Sequence, residues 1–181
     1  MSTQAPRPQA ALTAKGMRFA LCATRWNPEI VEQLLAGARA ALEARGAEEI
    51  RVLRCAGVFE LGPLAARVAR TGEMDGIVAL GCLIRGATDH YALLAAEVTR
   101  ALGSLAMEAA TSPRALAIAF GVLTCENMVQ ALERADPGRM DKGGEVALAC
   151  LEQIHALHSA ADGGHDKNIV SPPLSGRRGG R

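Results

Sequence analysis

Aromatic residues are scarce in this chain of 181 residues, where Phe, Trp and Tyr together make up 3% of the sequence. A hydrophobic core must therefore be built mainly from Ala, Leu, Val and Ile, and the positions of the few aromatic residues become informative. Hydrophobic residues make up 49% and charged residues 22%. This composition is ordinary for a globular protein, excludes disorder throughout the chain, and at this length indicates a single domain.

The sequence also lacks an excess of charge and a long apolar run. Its 20 Lys and Arg residues and 19 Asp and Glu residues leave a formal charge of +1, so the charge balance does not favour nucleic acid or a membrane surface as a partner. No apolar run approaches the roughly 20 residues of a membrane-spanning helix. The N-terminal stretch has no apolar segment of a secretory signal. We expect a cytoplasmic protein that binds neither nucleic acid nor membranes.

Closely spaced cysteine pairs are absent, although the chain has five cysteines. A disulfide framework or a zinc site would need closer, paired spacing, so we expect small buried side chains and no metal. His155 and His158 lie three residues apart but have no nearby ligand pair, and we interpret them as surface residues. The cysteines are Cys22, Cys55, Cys82, Cys125 and Cys150.

Both ends of the chain differ in composition from the part between them. Residues 1–15 are rich in Pro, Gln and Ala, and residues 161–181 are rich in Gly, Pro and Ser. We expect flexible tails at both ends, with a short interaction arm as the alternative for the basic C-terminal segment. Residues 16–160 then form one domain.

Apolar runs alternate with helical patterns throughout that domain. Asn27 and Pro28 are typical of a helix start, Thr88 is predicted to open the third helix, and Thr124 to cap the fourth. Strands alternating with helices predict an α/β fold, a flavodoxin-like three-layer αβα sandwich with a four-stranded parallel sheet. The predicted strands are 18–24, 50–55, 77–84 and 116–123, and the second and last helices are 59–71 and 143–157.

Ligands in such folds bind beyond the carboxyl ends of the strands, where the first two junctions carry candidate residues. Trp26, the only tryptophan, follows the first strand. It could belong to the core or form a stacking platform for a planar ligand. Glu60 follows the second strand and could cap a helix or accept hydrogen bonds from a polyol.

The third and fourth junctions suggest an anion and a proton-transfer group. Gly86 and a helix start at Thr88 would provide free backbone N–H groups for an anion. His90 in that first turn gains nothing from the helix dipole when protonated, so we expect a neutral imidazole that can accept a proton. Arg134, after the fourth strand, could complement its helix dipole or bind phosphate. Together the junctions indicate a planar, polar ligand and a phosphate.

The run GCLIRGATDHY at residues 81–91 resembles the lumazine synthase (6,7-dimethyl-8-ribityllumazine synthase) family. RWN at 25–27 and FGVLTCENMVQALERA at 120–135 support the resemblance, which covers about residues 17–158. It implies condensation of 5-amino-6-(D-ribitylamino)uracil with 3,4-dihydroxy-2-butanone 4-phosphate. The products would be 6,7-dimethyl-8-ribityllumazine, phosphate and water, formed without a metal or organic cofactor in the penultimate step of riboflavin biosynthesis.

The resemblance also implies roles for individual residues. His90 would move protons, and the phosphate substrate would be held by Ala87, Thr88, Arg134 and Lys142. Phe120 and Arg134 would come from a neighbouring subunit, because the family's site lies between two subunits. The residues implied for the ribitylaminouracil are Trp26, Val58, Phe59, Glu60, Cys82, Leu83, Ile84 and Phe120.

The loop at 136–141 bears on the assembly that the resemblance implies. This loop, DPGRMD, lacks the pattern of sixty-subunit shells, and the DKGG that begins at Asp141 is more similar to pentameric members. We therefore favour a homopentamer over a larger pentamer-based shell. Two other functions stay open: a non-catalytic flavin- or lumazine-binding carrier or scaffold, and a generic phosphate-binding module that would be a monomer.

Overall fold

A computed structural model of the chain describes residues 12–112 and 116–161. These residues form four strands, five α-helices and one turn of 3-10 helix, Val58–Glu60. The strands are β1 (Arg18–Thr24), β2 (Glu49–Cys55), β3 (Gly76–Ile84) and β4 (Ala117–Cys125). The helices are α1 (Pro28–Ala44), α2 (Leu61–Ala69), α3 (His90–Ala110), α4 (Met128–Ala135) and α5 (Lys142–Ala161).

The four strands form one parallel sheet in the order β2-β1-β3-β4. The predicted α/β fold with four parallel strands is confirmed and is consistent with a flavodoxin-like three-layer sandwich. All four carboxyl ends lie at the same edge of the sheet, because every neighbouring pair runs in the same direction. β1 pairs with β3 as far as Ala23 and Leu80, whereas β3 pairs with β4 as far as Ile84 and Cys125.

Two apolar cores lie on opposite faces of the sheet. Phe19 and Leu21 of β1 pack into the core that contains residues of α1, α4 and α5. Ala20 and Cys22 pack into the core that contains residues of α2 and α3. This division follows from the alternation of side chains along a strand. It explains why β3 is apolar throughout and why β1 is apolar between its two terminal residues.

Two predicted helix starts are wrong. α3 begins at His90 rather than Thr88, and its first helical hydrogen bond joins the Leu93 N–H to the Asp89 carbonyl. Thr124 lies within β4, which stays paired with β3 through Cys125. Because β4 stays paired with β3 through Cys125, the next helix begins later than predicted, after Asn127.

Asn127 is the N-cap of α4. Its Oδ1 accepts a hydrogen bond of 3.0 Å from the Gln130 N–H, the bond that makes asparagine favourable at this position. The predicted second helix, 59–71, is observed as the 3-10 turn followed by α2, and the last helix extends to Ala161 rather than 157.

Residues 12–15 of the predicted N-terminal tail contact the domain. Ala14 is fully buried, Lys15 forms a bridge with Ala47, and Arg45 donates a hydrogen bond of 3.1 Å to the Leu12 carbonyl. The rest of that tail, residues 1–11, and all of the predicted C-terminal tail except residue 161 lie outside the described residues.

Helices α1 and α5 approach each other closely at Gly143. A Cβ atom at this position would overlap the backbone of Leu34 in α1. The turn before α5 is fixed by Asp141, which has a positive φ of 43° and accepts a hydrogen bond of 3.0 Å from the Gly144 N–H. Only glycine leaves room for this packing at residue 143.

Substitution Gly143→Ala should lower the free energy of unfolding by about 1–3 kcal/mol, the usual cost of overpacking. Gly103→Ala is the control, because Gly103 lies in α3 with no atom within 4 Å of the position its Cβ would occupy. It should be neutral or stabilise by up to about 1 kcal/mol. Urea unfolding of both variants makes the comparison, and equal stabilities would contradict the packing of α1 against α5.

Candidate active site

A cavity of about 1080 Å³ lies at the carboxyl edge of the sheet, next to the 3-10 turn and the start of α3. It collects side chains from three of the four strand-to-helix junctions, although these are far apart in the sequence. The predicted site residues that line it are Trp26, Val58, Phe59, Glu60, Cys82, Leu83, Ile84 and His90.

Two aromatic rings are exposed at this cavity. Trp26 is 71% exposed and Phe59 is 56% exposed, although the protein has few aromatic residues. The backbone N–H of Trp26 donates a hydrogen bond of 3.3 Å to the Ala56 carbonyl, and this bond joins the end of β1 to the end of β2. Trp26 is therefore not a core residue, and the stacking interpretation is the one that its position supports.

Glu60 is held in place by the backbone of the same junction. Its Oε2 accepts a hydrogen bond of 2.8 Å from the Gly57 N–H, so the helix-capping interpretation is confirmed. The second carboxylate oxygen can still accept a hydrogen bond from a ligand hydroxyl. Burial, and to a smaller extent the charge of Glu60, raises the pKa of the nearby Cys55 thiol.

The last residues of β3 extend past the end of β1. Because the pairing with β1 stops at Leu80 while the pairing with β4 continues to Ile84, the strand ends with one edge next to the cavity. Backbone N–H and C=O groups on that edge have no strand partner in β1. Such groups are suited to reading the hydrogen-bonding edge of a planar ring.

Cys82 is placed at this edge, but its thiol is not suited to nucleophilic attack. The residue is almost completely buried, and burial, with a smaller contribution from Cys125, raises the pKa of the Cys82 thiol to about 12. The thiolate is the reactive form of cysteine. Any contact of Cys82 with a ligand in this cavity is therefore expected through its backbone.

His90 is the first residue of α3 and lines the cavity. The same wall continues along α3 with five residues that the sequence analysis did not select as site residues. Repeated steps of three and four residues from His90 would have indicated most of them, since such residues share one helix face. They are Leu93, Leu94, Ala96, Glu97 and Arg100.

Ala87 and Thr88 are exposed in the turn between β3 and α3, directly before the first turn of α3. Arg85 holds this turn in place: its guanidinium is 2.9 Å from a Glu126 carboxylate oxygen and lies over the Tyr91 ring, 4.6 Å from the centroid. Backbone N–H groups at the start of a helix attract anions, so the turn can bind a phosphate.

Phe120, Arg134 and Lys142 do not line this cavity. Phe120 is 41% exposed on the edge strand β4 and shares a separate groove with Lys142, whose Nζ is 2.5 Å from Glu145 Oε2. Arg134 lies in the last turn of α4 and donates a hydrogen bond of 3.1 Å to the Gln130 carbonyl. One chain alone therefore does not bring Phe120, Arg134 and Lys142 to the cavity that Trp26 and His90 line.

Neither a metal cluster nor a membrane span is found in the described part of the chain. Within residues 12–112 and 116–161, no three His, Cys, Asp or Glu side chains are grouped so as to hold a metal ion. No helix among the same residues is long and apolar enough to cross a membrane.

Comparison with known proteins gives a consistent result over most of the chain. The family model described as 6,7-dimethyl-8-ribityllumazine synthase matches residues 16–158. Proteins with that name from Anaeromyxobacter dehalogenans and Kineococcus radiotolerans are 43% and 44% identical, over 155 and 156 residues. These alignments cover 84% and 85% of this chain and 93% of each relative. The chain belongs to the 6,7-dimethyl-8-ribityllumazine synthase family.

Proposed function

We propose that this protein condenses 5-amino-6-(D-ribitylamino)uracil with 3,4-dihydroxy-2-butanone 4-phosphate, as a transferase of riboflavin biosynthesis. The products are 6,7-dimethyl-8-ribityllumazine, phosphate and water. The observation that carries this proposal is the single cavity that holds Trp26, Glu60, the end of β3 and His90 together. It combines surfaces for a planar ring and a polyol with a proton-transfer group.

The ring of the pyrimidine substrate is held by two kinds of contact. Trp26 stacks on the ring, because its exposed indole is at the cavity. Backbone groups of Cys82, Leu83 and Ile84 bind the uracil edge, where β3 has passed the end of β1. Each contact recognises a different part of the ribitylaminouracil.

The ribityl chain lies along Val58, Phe59 and Glu60. The Glu60 carboxylate is oriented by its bond to the Gly57 N–H, so its remaining oxygen is preorganised to accept hydrogen bonds from hydroxyl groups. A carboxylate that is already held in place loses little conformational freedom on binding.

The phosphate substrate binds at Ala87 and Thr88 before the first turn of α3. Its charge is balanced by Arg134 and Lys142, and Phe120 closes over the pyrimidine ring. These three residues come from a neighbouring copy of the chain. The supporting observation is that Phe120 and Lys142 border a groove along the exposed edge strand β4, separate from the cavity.

The reaction needs proton transfer and alignment of two substrates. One amine of the pyrimidine substrate condenses with the ketone and releases a water, and phosphate is then eliminated to leave a new carbonyl group next to the imine carbon. The second amine condenses with that carbonyl group and releases a second water, which closes the ring. His90 accepts and returns protons at these steps, which is typical of a histidine at a cavity wall. Holding both substrates side by side supplies much of the acceleration. No metal or organic cofactor takes part.

A site shared between copies requires an assembly, and we propose a homopentamer located in the cytoplasm. The alternative is a larger shell built from pentamers. The sequence DKGG beginning at Asp141, together with the loop 136–141, supports the smaller assembly. Light scattering of the purified protein measures the mass that distinguishes them, and a monomer would contradict both.

The proposed activity is tested by mixing the purified protein with both substrates and following lumazine fluorescence. A protein-free blank is needed, because the condensation also proceeds slowly unaided. A rate well above the blank is expected. A rate equal to the blank would refute the enzymatic function and favour a flavin- or lumazine-binding carrier, which riboflavin titration would then detect.

Substitution His90→Ala should lower turnover roughly 10–100-fold, the lower part of the range for general acid–base groups. His158→Ala is the matched control, because His158 is exposed on α5 and is not at the cavity. Steady-state turnover at saturating concentrations of both substrates measures the effect. Unchanged turnover in the His90 variant would remove this residue from the mechanism.

Substitution Arg134→Ala should raise the KM for the phosphate substrate roughly 10–100-fold, because it removes charge-assisted hydrogen bonds to the phosphate. The KM for the pyrimidine substrate should change much less. Arg39→Ala, which removes an exposed arginine paired with Glu43 on α1, is the control. Equal increases in both KM values for the Arg134 variant would reject the phosphate role.

A further inference from the structure

Asn27 has an unusual backbone conformation between β1 and α1. Its φ and ψ are 55° and 56°, in the left-handed region. Residues other than glycine rarely adopt this region, and asparagine is among those that tolerate it best. Pro28 follows directly, and a proline disfavours the right-handed helical conformation in the residue before it. The position is therefore restricted to few residue types.

The Asn27 side chain does not cap the helix that it precedes. No cap hydrogen bond joins this side chain to α1. Its Nδ2 instead donates a hydrogen bond of 2.9 Å to the carbonyl of Cys82 in β3. The Asn27 amide is therefore hydrogen-bonded to β3 and not to the helix that follows it.

This hydrogen bond lies where the sheet no longer joins β1 to β3. Strand pairing between them ends at Ala23 and Leu80, two residues before Cys82. The Asn27 amide therefore provides a cross-link beyond the last strand pair. The preceding residue is attached to β2 instead: the backbone N–H of Trp26 donates a hydrogen bond to the carbonyl of Ala56, just after β2.

We propose that Asn27 is a positioning residue for the pyrimidine substrate. Its amide fixes the distance between the Trp26 indole, on which the ring stacks, and the β3 backbone, which binds the ring edge. Asn27 itself also lines the cavity. This role rests on the proposed function and adds a residue that sets the fit of one substrate rather than taking part in the chemistry.

Two substitutions separate the amide from the backbone conformation. Asn27→Gly keeps the left-handed backbone and removes the amide. Asn27→Asp keeps the shape, but an ionised carboxylate cannot donate to the Cys82 carbonyl. Once protonated, the same carboxyl group can donate its O–H. The Asp variant should therefore recover the missing bond as the pH falls through the pKa of its new carboxyl group.

Asn127→Asp is the matched control, because Asn127 also precedes a helix but acts as an acceptor. Its Oδ1 receives the Gln130 N–H, and a carboxylate performs that role at every pH above its pKa. The substitution is chemically the same as Asn27→Asp. However, the Asn127 side chain accepts its hydrogen bond, whereas the Asn27 side chain donates its own.

The experiment measures binding of the lumazine product between pH 4 and 8 and steady-state kinetics at pH 8. Trp26 is the only tryptophan in the chain, so quenching of its fluorescence reports binding at this site. Each Kd is divided by that of the unsubstituted protein at the same pH, which removes the titration of other groups from the comparison. Melting temperatures show whether each variant is folded.

Asn27→Gly should weaken product binding and raise the KM for the pyrimidine substrate roughly 5–30-fold, as expected for loss of a hydrogen bond that aligns a binding surface. The KM for the phosphate substrate should change less than twofold. Asn27→Asp should show a similar or larger loss at pH 8, and its Kd ratio should return toward one at pH 4, close to the ordinary pKa of an aspartate, about 3.9. Asn127→Asp should stay near one throughout.

Three results would overturn the proposal. Unchanged pyrimidine binding in Asn27→Gly would show that the amide positions nothing. A Kd ratio for Asn27→Asp that does not vary with pH would show that donation to Cys82 is irrelevant. Equal increases in both KM values, with a lower melting temperature, would indicate a purely structural role. If the unsubstituted protein forms no lumazine, the proposed function fails, whereas the binding comparison still decides the role of Asn27.

Discussion

The parallel pairing of β1 with both β2 and β3 is the constraint on which the rest of the structure depends. It places the ends of β1, β2 and β3 at one edge of the sheet, so residues as distant in sequence as Trp26, Glu60 and His90 line one cavity. The two apolar cores hold the sheet between helix layers. Strand pairing between β1 and β3 stops before the end of β3, and the hydrogen bond from Asn27 to Cys82 lies in the gap that this leaves. The proposed contacts to the pyrimidine ring use the same part of β3.

The same topology leaves β4 at the edge of the sheet. Phe120 and Lys142 therefore border a groove on the outside of the chain instead of the cavity. An edge strand with an exposed aromatic residue is a surface that another chain can cover. Phe120 and Lys142 contact a ligand in the cavity only if the β4 side of an identical neighbour covers that cavity, as proposed above.

The sequence was sufficient to predict the strands, because buried parallel strands read as continuous apolar runs. Because the ends of such strands share an edge, it also singled out Trp26, Glu60 and His90. The other predicted residues at the cavity came from the resemblance to a known family. Helix starts were less predictable. Thr124 is a good capping residue, but continued pairing of β4 with β3 overrides it, and Asn127 takes that role. The bond from Asn27 to Cys82 spans 55 residues, and no local pattern encodes such a contact. The expectation that Phe120 and Arg134 come from a neighbouring subunit came from the family resemblance and not from any local pattern.

Co-expression of the His90→Ala and Arg134→Ala variants, followed by isolation of mixed assemblies, tests most directly whether sites are shared between copies. Every chain in such an assembly carries one defect. The rate is measured at a phosphate-substrate concentration far below the KM of the Arg134→Ala variant, where both variants alone are slow. If His90 and Arg134 of one site come from different chains, random mixing restores about a quarter of the sites, and the rate rises well above that of either variant alone. If both residues act within one chain, no complete site forms. A rate no higher than the mean of the two variants would contradict the shared site.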